Sequence, residues 1–330
     1  MGAWGRRLVT CSAVLALALI LVVLLPLWLP VLVLVDLVRG RWRLPLVRLG
    51  TFALLWSWLE TAGLAGALGL RLAGRAHSLS PNFALQRWWA TNLVRAVRAT
   101  TGMAIEVEGI EDLGDGPLVV LGRHVSLIDS AISAWILSGL VGLDPRYVLK
   151  RELRWDPCLD IVGHRLPNHF VDRSSTDVPA ELRGIARMAE GLGTGEVAVV
   201  FPEGTRANDA KRTRIVEQLR ERNPVRAERL SGLVHLLPPR PAGADALLKA
   251  VRAADVATMW HVGLEGLDGF GGIVRAISRG PLRVRVVLHR YVRSLVPSDG
   301  FVEWLDERWC EMDAAVADAL SEGGRSWARP

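Results

Sequence analysis

The chain has 330 residues, of which 50% are hydrophobic, and its mean hydropathy is +0.25. This length allows one large domain or two modest ones, and the positive hydropathy indicates a membrane segment rather than an ordinary soluble protein. The net charge of +6 suits nucleic acid, an anionic membrane surface or phosphorylated substrates about equally. Three cysteines, Cys11, Cys158 and Cys310, lie far apart and outside any metal-ligand spacing, which argues against a disulfide framework or a zinc site and fits a reducing compartment.

The amino terminus carries two long apolar stretches. Residues 8–35 form a nearly uninterrupted apolar run, which exceeds the roughly 20 residues needed to cross a bilayer core. A cleaved signal peptide is disfavoured because the run leads into Pro26 and Pro30 rather than a small-residue cleavage site. A second apolar stretch covers residues 46–70. Together they predict a membrane-anchoring helical hairpin within residues 1–75.

The orientation of this hairpin depends on four arginines in the link between the two runs and at the start of the second run. These are Arg39, Arg41, Arg43 and Arg48. If both helices span the bilayer fully, the four lie opposite the rest of the chain, against the positive-inside tendency. A re-entrant hairpin, kinked at Pro26 and Pro30, would keep them on the cytoplasmic side. We expect residues 76–330 to face the cytoplasm of a bacterial-type cell membrane.

Beyond about residue 102, short apolar runs alternate with helical patterns. The predicted strands are 104–107, 117–121, 147–149, 169–171, 197–201, 234–237, 257–261 and 282–289. The predicted helices are 127–137, 179–192, 211–222 and 244–253, with amphipathic helices at 83–98 and 301–320. Such alternation is typical of an α/β fold in which helices flank a sheet and sites lie at strand ends.

A histidine and an aspartate follow the strand predicted at 117–121. His124 and Asp129 are five residues apart, and on one straight helix that step turns the side chains apart by roughly 140°. They can meet only if His124 lies on the loop ahead of a helix and Asp129 lies in its first turns. Asp129 would then fix the imidazole tautomer, while the other ring nitrogen takes a proton from a substrate hydroxyl. Alone, the pair is weak evidence, because a surface histidine near a helix-initial aspartate is then the better explanation.

A second motif ends the strand predicted at 197–201, in the sequence Phe-Pro-Glu-Gly-Thr-Arg. A permissive Gly204, a hydroxyl from Thr205 and the forked guanidinium of Arg206 suit the binding of a phosphate. The strand predicted at 169–171 is likewise followed closely by an arginine, Arg173. For Arg173 in isolation, a solvated or structural ion pair is the better interpretation.

Together and in this order, these segments resemble the glycerolipid acyltransferase family, which includes the 1-acylglycerol-3-phosphate acyltransferases. Its blocks are a His-x-x-x-x-Asp, an apolar strand that ends in Arg, and a Glu-Gly-Thr-Arg. The resemblance covers about residues 100–320. The amino-terminal hairpin and three further stretches are similar to the branch that contains lysocardiolipin and lysophosphatidylinositol acyltransferases. These stretches are residues 150–153, 233–242 and 304–309.

The resemblance implies a mixed sheet flanked by helices, with the acyltransferase domain in residues 76–330 behind the membrane hairpin. It implies that His124 abstracts a proton and that Asp129 orients it. It also implies five residues that help to hold the glycerophosphate. These are Arg173, Glu203, Gly204, Thr205 and Arg206. Backbone N–H groups near the loop of His124 are the candidate donors to the oxyanion that forms during acyl transfer.

The activity that the resemblance implies is transfer of a fatty acyl group from acyl-CoA or acyl-carrier protein to lysophosphatidic acid, giving phosphatidic acid. The partners are then a lysophospholipid acceptor, the acyl donor and a bilayer, with no metal or cofactor. Two departures leave the acceptor open. Arg123 replaces the usual Asn and could contact an anionic donor or headgroup, and the usually apolar fourth block carries Arg240.

Three alternatives remain beside this interpretation. Within the enzyme class, the acceptor could be lysocardiolipin, lysophosphatidylinositol or a glycolipid. A catalytically silent, membrane-bound lipid-binding protein would keep the fold, although such a protein has no need of both His124 and Asp129. A nucleic-acid binder is disfavoured because the arginines are dispersed and no recognition motif is present.

Overall fold

The computed structural model describes residues 2–126, 128–173, 175–267 and 269–326. The chain divides into two compact units. The first comprises Met1–Ala104, Ser130–Ser175 and Gly269–Arg283, and the second comprises Ile105–Asp129, Thr176–Asp268 and Val284–Pro330. The first unit thus contains the whole predicted anchor together with later segments, and the boundary expected at residue 75 stays a prediction.

The helices and strands alternate beyond the amino-terminal region, as predicted. The helices are α1 Ala3–Val23, α2 Leu25–Val38, α3 Pro45–Leu72, α4 Leu79–Thr101, α5 Asp129–Ala134, α6 Pro157–Ile161, α7 Val178–Ala189, α8 Asp209–Arg222, α9 Pro224–Leu230, α10 Pro241–Ala250, α11 Phe270–Arg279 and α12 Phe301–Ser326. The strands are β1 Ala104–Glu108, β2 Leu118–Gly122, β3 Asp144–Lys150, β4 His169–Val171, β5 Glu196–Val200, β6 Asp255–Val262 and β7 Arg283–Tyr291. A π-helical segment, Trp135–Val141, continues α5, and 3₁₀ turns cover Arg151–Trp155 and Arg293–Leu295.

The first apolar run forms two helices, because α1 ends at Val23 and α2 begins at Leu25. Pro26 and Pro30 have no backbone N–H to donate, so a single continuous helix would lose hydrogen bonds at both positions. The second run forms the single helix α3. By length and composition, α1 and α3 could each cross a membrane, whereas α2 is shorter.

A buried carboxylate fixes the turn between α2 and α3. Asp36 has no exposed surface, and its Oδ2 accepts from the backbone N–H groups of Leu46, at 2.8 Å, and Val47, at 3.3 Å. These amides lie in the first turn of α3 and have no partner within the helix. Asp36 therefore caps α3 from the end of α2, which stabilises the predicted hairpin.

Arginine side chains tie the hairpin to other elements of the first unit. Arg6 and Arg7, at the start of α1, contact Asp160 of α6 at 2.8 and 2.9 Å. Arg48, near the start of α3, donates to the carbonyl of Thr101 at the end of α4, at 3.5 Å. The starts of α1 and α3 are thus both held by segments that lie outside the hairpin.

The second unit contains five strands in the order β1-β7-β6-β2-β5. Strand β2 pairs in parallel with β5 and β6, and β6 pairs antiparallel with β7. All five residues of β2 are buried, as expected of a central strand covered on both faces. In the first unit, β3 and β4 form a parallel pair. The predicted α/β class with a mixed sheet is therefore confirmed.

The strand predicted at 234–237 is wrong. The segment is irregular, although its apolar side chains Leu236 and Leu237 are buried as the pattern indicated. Its amides bond to carboxylates instead of a neighbouring strand. Asp313 accepts from residues 234, 235 and 236 at 2.7 to 2.9 Å, and Glu203 accepts from Leu237 at 3.0 Å. Three helices, α6, α9 and α11, were not predicted.

Candidate active site

The structure brings His124 and Asp129 together. His124 lies on the loop that follows β2, and Asp129 is the first residue of α5, which is the arrangement that the five-residue spacing requires. Nδ1 of His124 lies 3.0 Å from Oδ2 of Asp129. The His124 side chain is 21% exposed, whereas that of Asp129 is fully buried. With Nδ1 occupied, Nε2 of His124 is the nitrogen left to exchange a proton with a substrate.

The carboxylate of Asp129 is held by its own loop. Besides His124, Oδ2 accepts from the backbone N–H of Val125 at 2.6 Å and of Ser126 at 2.8 Å. The hydroxyl of Ser126 donates to Oδ1, and Nε2 of His261 lies 3.3 Å from the same oxygen. The position of the carboxylate is thus set from several sides, which fixes the direction in which it presents Oδ2 to His124.

These contacts keep Asp129 ionised. Burial alone would raise the pKa of its carboxyl, but the neighbouring His261 and the hydrogen bonds from His124 and Ser126 together hold that pKa well below its usual range. An anionic Asp129 favours a proton on Nδ1 of His124. The imidazole is then oriented as a base through Nε2.

The amides of the His124 loop are already used within the protein. The N–H of His124 donates to Oε1 of Glu203 at 2.8 Å, and those of Val125 and Ser126 donate to Asp129. The expectation that amides of this loop stabilise an oxyanion is therefore corrected for these three groups. Other donors have to meet that charge.

Glu203 is buried next to the His124 loop and is not exposed at the protein surface. Its side chain is fully buried, and its two oxygens accept from the backbone N–H groups of His124 and Leu237. Burial raises the pKa of Glu203 to about 8, although the two backbone bonds and Arg123 act in the opposite direction. In this position Glu203 holds the His124 loop through its backbone contacts. The position does not support the predicted contact of Glu203 with a glycerophosphate.

The Gly-Thr-Arg segment runs beside the His124 loop. Gly204 has φ of +70°, a conformation that side chains rarely adopt, and its N–H closes a turn on the carbonyl of Phe201 at 3.0 Å. The N–H of Ala207, directly after Arg206, donates to the carbonyl of His124 at 3.0 Å. The segment that carries Thr205 and Arg206 is thereby fixed next to the candidate base.

Lys211, in the first turn of α8, supports this segment. Its Nζ donates to Oγ1 of Thr205 at 3.3 Å and to the carbonyl of Arg206 at 3.0 Å. Sequence reasoning placed Lys211 on a helix and gave it no role. Lys211 lies five residues after Arg206. That spacing indicates a contact with the Arg206 segment only if α8 is known to begin at Asp209.

Arg173 belongs to the first unit, where it follows β4 and is exposed. An exposed guanidinium at a strand end is compatible with both a headgroup contact and a structural pair. Its participation in the site stays a prediction.

Arg123 is enclosed within the protein, whereas the sequence analysis considered a contact with an anionic donor or headgroup. Its side chain is 2% exposed, and Nη1 pairs with Oε1 of Glu265 at 2.9 Å and donates to the carbonyl of His261. A guanidinium enclosed in this way does not meet an anionic donor or headgroup. Arg123 instead ties the end of β2 to the end of β6.

His261 is the functional candidate that sequence reasoning missed. It is buried near the carboxyl end of β6 and lies against Asp129. A strand ending at residue 261 was predicted, and strand ends are where sites of α/β sheets collect. That rule could have singled out His261. Within the described residues, no group of three or more His, Cys, Asp or Glu could hold a metal ion, and independence of metals and cofactors stays a prediction.

Comparisons with known proteins agree with this geometry. A family model described as Acyltransferase matches residues 104–239, which include every predicted site residue. Over 131 residues the chain is 32% identical to the 1-acyl-sn-glycerol-3-phosphate acyltransferase of Pseudomonas aeruginosa, covering 38% of this chain and 46% of that protein. Residues 104–239 of this chain are thus similar to known acyltransferases.

A second similar protein is the 1-acyl-sn-glycerol-3-phosphate acyltransferase epsilon of Mus musculus, at 29% identity over 42% of this chain and 38% of that protein. The chain thus spans less than half the length of the curated relatives it matches. Among solved structures, the 1-acyl-sn-glycerophosphate acyltransferase of Thermotoga maritima superposes with a TM-score of 0.50 at 18% identity, over 75% of this chain and 83% of that one. This likeness shows that the two share a fold.

The buried carboxyl of Glu203 predicts a dependence of stability on pH. The unfolded chain releases this proton near the ordinary pKa of 4.5, whereas the folded chain holds it to about pH 8. The folded state therefore binds more protons across that interval, so the contribution of Glu203 to the free energy of unfolding falls as the pH rises through it. Glu203→Gln removes the titration, so the wild type should lose thermal stability relative to the variant as the pH rises.

Thermal unfolding in detergent, at several pH values between about 5 and about 8, measures this difference. Glu217→Gln, at an exposed position on α8, is the matched control and should show no such trend. The expected burial of a neutral carboxyl is contradicted if the difference in unfolding temperature between wild type and Glu203→Gln stays constant with pH. It is also contradicted if the wild type becomes the relatively more stable protein at higher pH.

Proposed function

We propose that this chain is a glycerolipid acyltransferase that moves a fatty acyl group from acyl-CoA or acyl-carrier protein to the free hydroxyl of lysophosphatidic acid, giving phosphatidic acid. One observation carries the proposal. The imidazole of His124 is held at 3.0 Å by the buried carboxylate of Asp129, with its outer nitrogen left for a substrate. The hydrogen bond between Ala207 and His124 keeps the Arg206 segment beside it.

The proposed reaction needs a base and no covalent enzyme intermediate. The acceptor hydroxyl gives its proton to Nε2 of His124 while its oxygen attacks the thioester carbonyl. The C–S bond then breaks, and the departing thiolate takes the proton back from His124. The acyl group ends as an ester on the acceptor. Asp129 stabilises the imidazolium formed between these steps.

The acceptor is argued from the Gly-Thr-Arg segment. Arg206 supplies a forked guanidinium and Thr205 a hydroxyl, and Lys211 adds a third positive or polar group within hydrogen-bond reach of Thr205. Three such groups suit a phosphate monoester, and Arg173 is a further candidate for the headgroup. Both curated relatives carry 1-acyl-sn-glycerol-3-phosphate in their names, which supports the same acceptor for this chain. Lysocardiolipin, lysophosphatidylinositol or a glycolipid is the alternative acceptor.

A catalytically silent lipid-binding protein is the non-enzyme alternative. The full hydrogen-bonding of Asp129 argues against it. Burying an ionised carboxylate is costly unless several donors meet it, and a protein that only binds lipid has no use for one aimed at an imidazole. The geometry therefore favours the enzyme.

For localisation we propose a re-entrant hairpin, with the catalytic residues on the cytoplasmic side. In a hairpin whose helices both span fully, the starts of α1 and α3 would lie at opposite faces of the membrane. We place both starts on the cytoplasmic side, where Arg6 and Arg7 pair with Asp160 and Arg48 contacts Thr101, in keeping with the positive-inside tendency. We place the bend that this arrangement needs near Leu24, between α1 and α2, where Pro26 and Pro30 follow.

Acyl transfer is tested with purified membranes, a panel of lysophospholipids and two acyl donors, with products identified by mass spectrometry. His124→Ala should lower kcat by about 10²-fold or more, because general-base catalysis contributes roughly 10²–10⁴-fold. His289→Ala, at an exposed histidine of β7, is the matched control and should keep full activity. Near-normal turnover by His124→Ala would refute the base.

The same panel examines the acceptor through Arg206→Lys, with Arg214→Lys on the exposed face of α8 as its control. A forked contact becomes a point contact, so Arg206→Lys should weaken use of lysophosphatidic acid by roughly tenfold relative to an unphosphorylated acceptor. Equal losses with both acceptors argue against a phosphate at Arg206.

The membrane orientation is tested by labelling cysteines with a maleimide that cannot cross membranes. Trp42→Cys places a thiol in the turn between α2 and α3, where Trp42 is 79% exposed. Val225→Cys, at a position 73% exposed on α9, reports the side of the candidate site. Peptide mass spectrometry should find both labelled in inverted vesicles and neither in spheroplasts. Labelling of Trp42→Cys in spheroplasts would instead establish a fully spanning hairpin.

A further inference from the structure

A second imidazole lies on the carboxylate that orients His124. His261 stands near the end of β6, with its side chain 3% exposed, and its Nε2 lies 3.3 Å from Oδ1 of Asp129. This is the oxygen opposite the one that meets His124. Asp129 is therefore flanked by two histidines, one partly open to solvent and one enclosed.

The backbone around His261 is built to hold that position. In the parallel register of β2 and β6, Gly122 is paired with Met259, and the N–H of Arg123 donates to the Met259 carbonyl at 2.8 Å. The guanidinium of Arg123 returns to the carbonyl of His261 and pairs with Glu265. Arg123, which directly precedes His124, thus holds β6, the strand that carries His261.

The ring of His261 has Asp129 as its polar neighbour. In the described part of the chain, neither ring nitrogen has a hydrogen-bond partner of good geometry, and Oδ1 of Asp129, 3.3 Å from Nε2, is the acceptor that the ring faces. A buried ring N–H without an acceptor costs free energy, whereas a bare ring nitrogen costs less. The proton therefore belongs on Nε2, facing the carboxylate, with Nδ1 left bare.

We infer that His261 is a positioning residue for the proposed acyl transfer: its Nε2–H donates to Oδ1 of Asp129 and keeps Oδ2 aimed at Nδ1 of His124. The inference rests on the proposed function of His124 as the base. The terminal torsion of an aspartate is soft, so the direction of its oxygens is set by their donors. Removing the donor on Oδ1 lets the carboxylate turn and weakens the hold on the catalytic tautomer.

Three variants separate this role from simple filling of the core. His261→Leu removes both ring nitrogens at similar volume. His261→Gln keeps an N–H near the position of Nε2. Thr258→Val is the matched control, because Thr258 is also buried on β6 and loses a hydroxyl that bonds Tyr291, away from Asp129.

The first readout is steady-state kinetics with lysophosphatidic acid and acyl-CoA. His261→Leu should lower kcat roughly tenfold, the effect of one hydrogen bond to a charged group, and leave KM for the acceptor unchanged. His261→Gln should restore kcat to within about threefold of the wild type. Thr258→Val should lower only the unfolding temperature.

The second readout does not need turnover. Diethyl pyrocarbonate acylates accessible neutral imidazoles, and peptide mass spectrometry gives the rate at His124, with exposed His289 as the internal standard. Since Asp129 makes Nε2 of His124 more nucleophilic, the rate at His124 should fall several-fold in His261→Leu and recover in His261→Gln. Thr258→Val should leave it unchanged.

Each outcome decides one of the two proposals. If His261→Leu matches the wild type in kcat and in labelling of His124, or only loses stability as Thr258→Val does, His261 is a core side chain and the inference is overturned. If the wild type transfers no acyl group with any donor, the proposed function fails. The labelling rates then still show whether His261 acts on Asp129 and His124.

Discussion

The buried carboxylate of Asp129 is the interaction on which the candidate site depends. An ionised group with no exposed surface is stable only when donors surround it, and here two backbone amides, a hydroxyl and the imidazole of His124 do so, with the ring of His261 alongside. The same contacts fix residues 124–126 and the start of α5. One set of hydrogen bonds therefore determines the conformation of these residues, the start of the helix and the tautomer of His124.

Acidic side chains also take the place of sheet pairing elsewhere in the second unit. Glu203 joins the His124 loop to Leu237, and Asp313 of α12 accepts the three preceding amides. Trp309, on the same helix, donates to the carbonyl of Leu237 at 3.0 Å. An apolar, proline-rich segment is thus held by side chains from α12, which links the carboxyl-terminal helix to the loop of the candidate base.

Much of this could be predicted from the sequence, because local pattern carries it. Central strands such as β2 are short apolar runs, and helical geometry alone required His124 on a loop and Asp129 at a helix start. The features that the sequence did not predict depend on contacts between residues that are far apart in the chain. The apolar character of 234–237 reports burial and cannot reveal that Asp313, almost eighty residues away, supplies the acceptors. In the same way, nothing local shows that Arg123 turns inward to Glu265, or that Glu203 faces backbone amides instead of a ligand.

The most direct measurement of the central claim is kcat for Asp129→Asn, with the unfolding temperature measured on the same preparation. Asparagine keeps the shape and an acceptor for the loop amides but removes the charge that steadies the imidazolium. The account predicts a loss of about 10²-fold or more in kcat, with little change in acceptor KM or unfolding temperature. An Asp129→Asn enzyme that turns over within about threefold of the wild type would contradict it, because His124 would then act without the carboxylate.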